Sequence, residues 1–247
     1  MKLFPQLGLN IVDFNKAPGT NRKSLEKTMG QAVSSLTLNL IYEGQTDFDG
    51  ILNQLREAEN VEEIELEWHS GVGEQDNENI CKIIKKILTK PNLNKITYDI
   101  EDTLGDFNGM EIDGEFPQNL TVKKLEINHV TDFTSWTWQQ LLLATPNVEE
   151  IDILAFNDFI ELPQLVRNVK VLKELKIINV VINAGCFDDP QPDDPVAIQE
   201  ERTVALEETR KVLKDELPIS IKASVKELMD DVQILIEKEA NEEPRLI

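Results

Sequence analysis

The chain writes Asn-Val-Glu-Glu-Ile twice, beginning at Asn60 in NVEEIELEW and at Asn147 in NVEEIDILA, 87 residues apart. With weaker copies evenly placed between them, such a recurrence makes a chain a repeat array, which constrains the fold more than any local signal. The frame apolar-x-x-apolar-x-apolar supplies those copies. It occurs as Val33/Leu36/Leu38, Val61/Ile64/Leu66, Leu93/Ile96/Tyr98, Val122/Leu125/Ile127, Val148/Ile151/Ile153 and Leu172/Leu175/Ile177. First positions are separated by 28, 32, 29, 26 and 24 residues, so the two Asn-Val-Glu-Glu-Ile copies are three steps of one repeat.

The segments between copies carry helical spacing. DFDGILNQLREAE places Phe48, Ile51, Leu52 and Leu55 on one face, and NENICKIIKKILTKPN does the same with Ile80, Ile83, Ile84 and Ile87 before Pro91. SWTWQQLLLATPN carries Trp138, Leu141 and Leu142 and ends at Pro146, while IELPQLVRNVKV has room for a turn or two of helix. Strands joined through helices run parallel, because each helix returns the chain to the same edge. The expected fold is therefore α/β, with a parallel sheet and helices alternating along the chain.

The short unit and the L-x-x-L-x-L frame resemble the leucine-rich-repeat family over roughly Val33 to Val180. Irregular unit lengths are most similar to its ribonuclease-inhibitor and F-box-associated branches. The resemblance implies a solenoid with a curved parallel sheet, helices on its convex side and a concave face that binds proteins. The family's asparagine, three places after the third apolar residue, is replaced by Ile41, His69, Glu101, Val130, Phe156 and Val180. No F-box helices are recognisable in the first 32 residues.

The ends depart from the repeat, as terminal units that shield an open edge do. TNRKSLEKTMGQAV suits the helix of a capping unit, giving an N-terminal cap over 1–32 and repeats over 33–183. NAGCFDDPQPDDPVA marks an acidic, proline-rich loop over 184–198. IQEERTVALEETRKVLKDELP reads as a charged helix and ISIKAS as a short last strand. Val225, Leu228, Val232 and Leu235 form a stripe at helical spacing, so 199–247 is expected to be a last repeat with a helical C-terminal cap.

Charge and chemistry narrow the function. Forty-six acids against 25 bases give a net charge of −21 at pH 7, the wrong sign for nucleic acid or an anionic membrane and the right one for a basic protein partner. The start is broken by Pro5, Gln6, Asn10 and Asp13, unlike a signal peptide, and no apolar run reaches the length of a membrane span. Two isolated cysteines, Cys81 and Cys186, fit a reducing compartment, and a cytoplasmic or nuclear setting is expected. Cys81 reads as core, and the acids around Cys186 argue against a reactive thiol. His69 and His129 read as partly exposed residues at strand ends rather than catalysts. DDPQPDDP lacks the alternating acids and central glycine of a calcium loop, and GVG at Gly71 lacks a phosphate loop's lysine and hydroxyl. No cofactor, metal or enzymatic constellation is called for.

What remains is the strand face turned away from the apolar frame. It presents Ser35, Thr37 and Asn39, then Glu63, Glu65 and Glu67, then Lys95, Thr97 and Asp99, then Lys124, Glu126 and Asn128. The fifth and sixth copies add Glu150, Asp152 and Leu154, then Glu174, Lys176 and Ile178. Eight of these 18 are acids and three are lysines. Trp68, beside three glutamates, is either an interface anchor or a lid over the repeat edge. The expected binding set is Glu63, Glu65, Glu67, Trp68, Asp99, Glu126, His129, Glu150, Asp152, Leu154 and Ile178. The expected function is a non-enzymatic scaffold, monomeric or weakly self-associating, that binds a basic protein. An inhibitor of a basic enzyme or toxin and a substrate-recognition subunit of a ubiquitin ligase are the alternatives.

Overall fold

The computed structural model describes residues 34–40, 48–69, 74–101, 115–128, 135–156, 161–183, 195–228 and 232–247. The expected N-terminal cap over 1–32 and residues 184–194 of the expected acidic loop lie outside them, while residues 195–198, expected in that loop, are the first turn of a helix.

Nine strands form one sheet in strictly sequential order. They are β1 Ser35–Leu40, β2 Glu63–His69, β3 Lys95–Glu101, β4 Lys124–Asn128, β5 Glu150–Phe156, β6 Ile177–Asn183, β7 Lys222–Leu228, β8 Val232–Lys238 and β9 Arg245–Leu246. Among the described residues five helices lie between strands: α1 Phe48–Glu57, α2 Glu74–Leu88, α3 Ser135–Ala144, α4 Leu162–Asn168 and α5 Pro195–Asp215. The chain is an α/β protein with a mostly parallel sheet, and the four expected inter-strand helices stand where the apolar spacing put them. A 3-10 turn, Val169–Val171, follows α4. The long α5 carries few apolar residues, but Ala205, Thr209, Val212 and Leu213 make a thin buried stripe along it.

Strands β1 to β7 pair in parallel, in unbroken register up to Ile153 of β5, so the apolar positions line up across the sheet. Leu36, Ile64, Ile96, Leu125, Ile151, Ile178 and Ala223 form one buried row, and Leu38, Leu66, Tyr98, Ile127, Ile153, Val180 and Val225 the next. Both rows join Leu55, Ile83, Ile87, Leu141, Leu142, Leu165 and Val212 from the helices in one continuous core. Helix α1 packs on α2, α3 on α4 and α4 on α5. Cys81 of α2 is buried in that core.

The repeat also appears in the backbone just before each strand. The Ser34 carbonyl accepts from the N–H groups of Glu62 and Glu63, at 2.8 and 2.9 Å. Glu62 accepts in the same way from Asn94 and Lys95, Asn94 from Lys123 and Lys124, Lys123 from Glu149 and Glu150, and Glu149 from Lys176 and Ile177. Acceptors at 34, 62, 94, 123, 149 and, toward Lys222, 176 are 28, 32, 29, 26 and 27 residues apart. One shared hydrogen-bond pattern thus precedes each strand from β2 to β6, and a single bond of the same kind precedes β7.

This spacing corrects the sixth copy. Its core frame is Leu175/Ile178/Val180 rather than Leu172/Leu175/Ile177, because Ile178 pairs with Ile151 and Val180 with Ile153. Ile178 is 1% exposed, so it belongs to the core and not to the binding set. Both frames fit LKELKIINVVIN, and only pairing with β5 chooses between them.

The C-terminal cap is corrected too. The stripe Val225, Leu228, Val232 and Leu235 does not lie on a helix. It spans the antiparallel pair β7–β8, with β9 paired to β8 beyond it. Leu228 and Val232 are too close in sequence for the crossover that a parallel neighbour requires, so the chain turns back on itself.

Candidate functional site: the open face of the sheet

Alternation puts every second strand residue on the face away from the core. Glu63 there is exposed, and Glu65, Glu67, Lys95, Asp99, Lys124, Glu126, Asn128, Glu150, Asp152 and Leu154 are half-buried. Thr97 is the exception: it is covered, standing in register between Glu65 and Glu126. Trp68 pairs with Leu40 and Ile100 in the backbone ladder, but its side chain lies outside the described residues, as do His129 and the His69 side chain. With the corrected register, β6 contributes Ile177, Asn179 and Val181 to this face, in place of Glu174, Lys176 and Ile178.

The structure brings the expected acids onto one surface but divides them into two groups. In the middle of the sheet each lysine leans toward the following strand. Lys95 meets Glu126 at 2.8 Å, and Lys124 meets Glu150 at 2.5 Å and also pairs with Asp152. Burial alone would lower the pKa of Lys124, but hydrogen bonds to Asp152 and Glu150 outweigh it and hold the ammonium above its ordinary value. Just before β5, Glu149 bridges Lys123, at 3.0 Å, and Lys176. Those hydrogen bonds, Lys176 first, lower the Glu149 carboxyl pKa.

Neutral links continue the row. Asn128 donates to Asp99 at 3.3 Å, Asn179 to Asp152 at 2.7 Å, and Ser224 to Asn179 at 2.8 Å. The centre of the face is thus partly neutralised, two lysines standing among Asp99, Glu126, Glu150 and Asp152, which sequence reading missed. Composition could count its lysines but not the direction in which each one leans.

Strand β2 differs. Lys95 stands opposite Glu63 in register yet turns away to Glu126. Glu65 accepts a hydrogen bond from Thr37 Oγ1 at 3.1 Å. Among the described residues, no lysine or arginine reaches ion-pair distance of Glu63 or Glu65. Negative potential therefore concentrates at the β2 end.

The other end of the face is largely apolar around one lysine, with the exposed Glu237 of β8 in register with Ser224 beside it. Leu154 of β5, Val181 of β6 and Ile234 of β8 are all half-buried, with Lys226 of β7 between the last two. Two register shifts bracket this row, one in β5 between Ile153 and Phe156 and one in β7–β8 beside Lys226. Such bulges re-aim side chains locally.

Among the described residues no three histidine, cysteine or acidic side chains converge as a metal site, and no helix is long and apolar enough to cross a membrane. No protein-family model matches the chain, and no curated protein matches it closely enough to count as a relative.

Proposed function

We propose that the chain is a divergent leucine-rich-repeat solenoid that works as a binding scaffold, recognising a basic protein through the open, concave face of its sheet. The observation that carries this reading is the division of the sheet. One face is sealed by a continuous core beneath helices, and the other offers polar and charged rows across seven parallel strands. The strictly sequential strand order and the shared hydrogen-bond pattern before each strand support the solenoid. So does the corrected sixth copy. Leu175-x-x-Ile178-x-Val180-x-x-Asn183 completes the family frame L-x-x-L-x-L-x-x-N, asparagine included. A net charge of −21 speeds encounter with a cationic partner and makes that rate fall with added salt.

The test is affinity capture with the wild-type chain and a Glu65→Lys, Glu67→Lys variant of unchanged thermal midpoint. A captured basic protein is then purified and its affinity for both chains measured. Retention by wild type, loss by the variant and a steep salt dependence are expected. Equal affinity for both chains would remove this face from the function.

A further inference from the structure

We infer that the open face recognises a bipartite segment of its partner: basic side chains that seat on β2, separated by about 20 Å from an apolar anchor that seats between β5 and β8. The inference rests on the scaffold reading and specifies its ligand. Its ground is the polarity of the face.

At the acidic end, Glu63 and Glu65 have no cation of their own among the described residues, since the nearest lysine in register, Lys95, is spent on Glu126. In the centre Lys95 already pairs with Glu126 and Lys124 with Glu150 and Asp152, while Asp99 accepts from Asn128, so a partner cation gains less there. A cation from outside therefore gains most at β2.

Leu154, Val181 and Ile234 expose apolar area at the far end, around Lys226. Lys226 forms no ion pair among the described residues. An anchor flanked by a carboxylate complements that end in both respects. The sign of the partner segment thus runs opposite to the sign of the face. Four inter-strand steps separate β2 from β6, which an extended segment of about six residues spans.

A second copy of the chain would also offer both signs, but two bodies of charge −21 repel on approach, so a foreign segment is the favoured occupant.

The measurement is fluorescence anisotropy of labelled synthetic peptides on the full chain. Two arginines stand at one end of each peptide and Leu-Phe-Asp at the other, with neutral spacers from roughly four to roughly ten residues. Controls carry only the arginines or only the anchor. The bipartite peptide should bind roughly 100-fold tighter than either control, with an optimum near a spacer of about six residues. Glu63→Lys with Glu65→Lys should reduce it to the anchor-only affinity, and Leu154→Ser with Lys226→Ala to the arginine-only affinity.

An arginine-only peptide that binds as tightly as the bipartite one, and is lost in the Glu63/Glu65 variant, would overturn the bipartite site and leave the acidic scaffold standing. No binding at any spacer length, or binding that neither variant changes, would overturn both. Sedimentation of the chain alone completes the test. A concentration-dependent dimer abolished by Glu63→Lys with Glu65→Lys would assign the face to a second copy and overturn the inference.

Discussion

The parallel stack from β1 to β7 and the hairpin from β7 to β9 solve the same problem by different means. In the stack, each unit of 26 to 32 residues up to β6 leaves a strand and returns in register with it, and the N–H groups before the strand bond to the preceding unit. In the hairpin the connection is three residues long, the strands run antiparallel and the register slips beside Lys226. The stack can be extended indefinitely, whereas the hairpin finishes it. A final strand of only two residues, Arg245–Leu246, leaves little edge for another chain to pair with.

The two regions also treat buried charge differently. In the stack, Lys90 is buried and donates from Nζ to the carbonyls of Leu55 and, at 2.8 Å, Ala58, at the end of α1. Burial lowers its pKa, and Lys86 adds to that while Glu59 opposes it. Lys238 repeats the device in the hairpin with the carbonyls of Ile219 and Ile221. The hairpin region adds an ion pair with a buried carboxylate, Glu227 of β7 with the partly exposed Arg202 of α5. Glu227 is fully buried and its Oε1 has no hydrogen-bond partner.

That pair gives the sharpest way to break the comparison. Arg202→Ala leaves a carboxylate uncompensated in the interior and should cost ~3–5 kcal/mol in urea unfolding. The loss should fall on α5 and the hairpin, with amide exchange in β2 and β3 changed least. Uniform acceleration of exchange across the sheet would mean that the stack and its terminus unfold as one.

The corrected frame is tested within β6. Ile178→Ala should cost ~2–5 kcal/mol, whereas Ile177→Ala, on the open face, should cost under ~1 kcal/mol. Similar losses for the two would undo the register. Lys90→Met removes a buried donor from two carbonyls and should destabilise the chain by ~1–3 kcal/mol, again read from urea midpoints.

Tyr98 offers an effect of opposite sign. It fills the third apolar position of its unit, and its buried hydroxyl has no partner. Desolvation raises its pKa well above the ordinary phenol value. Tyr98→Phe keeps the shape, removes the orphan group and should raise stability by ~1 kcal/mol.

The smallest effect is on pH. Hydrogen bonds from Lys176 and Lys123 lower the pKa of Glu149, and hydrogen bonding to Arg167 does the same for Glu216. A carboxyl whose folded pKa lies below its unfolded value contributes stability that is whole above the unfolded value, about 4.3, and is lost as pH falls through the folded one. Urea midpoints should therefore hold from neutral pH to about pH 5 and then decline. Glu149→Gln with Glu216→Gln should shallow that decline.

Much of this was legible in the residues because periodicity reports which side of an element is buried. Five of six strand frames, the inter-strand helices and the acidic triplet of β2 follow from spacing alone, since a strand alternates with period two and a helix with 3.6. The sixth frame did not, because Leu172, Leu175, Ile177, Ile178 and Val180 satisfy two overlapping patterns. The C-terminal stripe did not either. Val225, Leu228, Val232 and Leu235 keep helical spacing, but their β-branched neighbours and the waiting edge of β7 favour a hairpin.

By itself, the sequence determined the repeat, the α/β alternation, the acidic character and the identity of most residues on the open face. These depend on local spacing and composition, which short-range sterics and solvation translate directly into structure. Tertiary structure alone decided the register of β6, the antiparallel end of the sheet and the direction in which Lys95 and Lys124 lean. Each is a choice among partners of nearly equal local merit, settled by which neighbouring strand stands within hydrogen-bond reach.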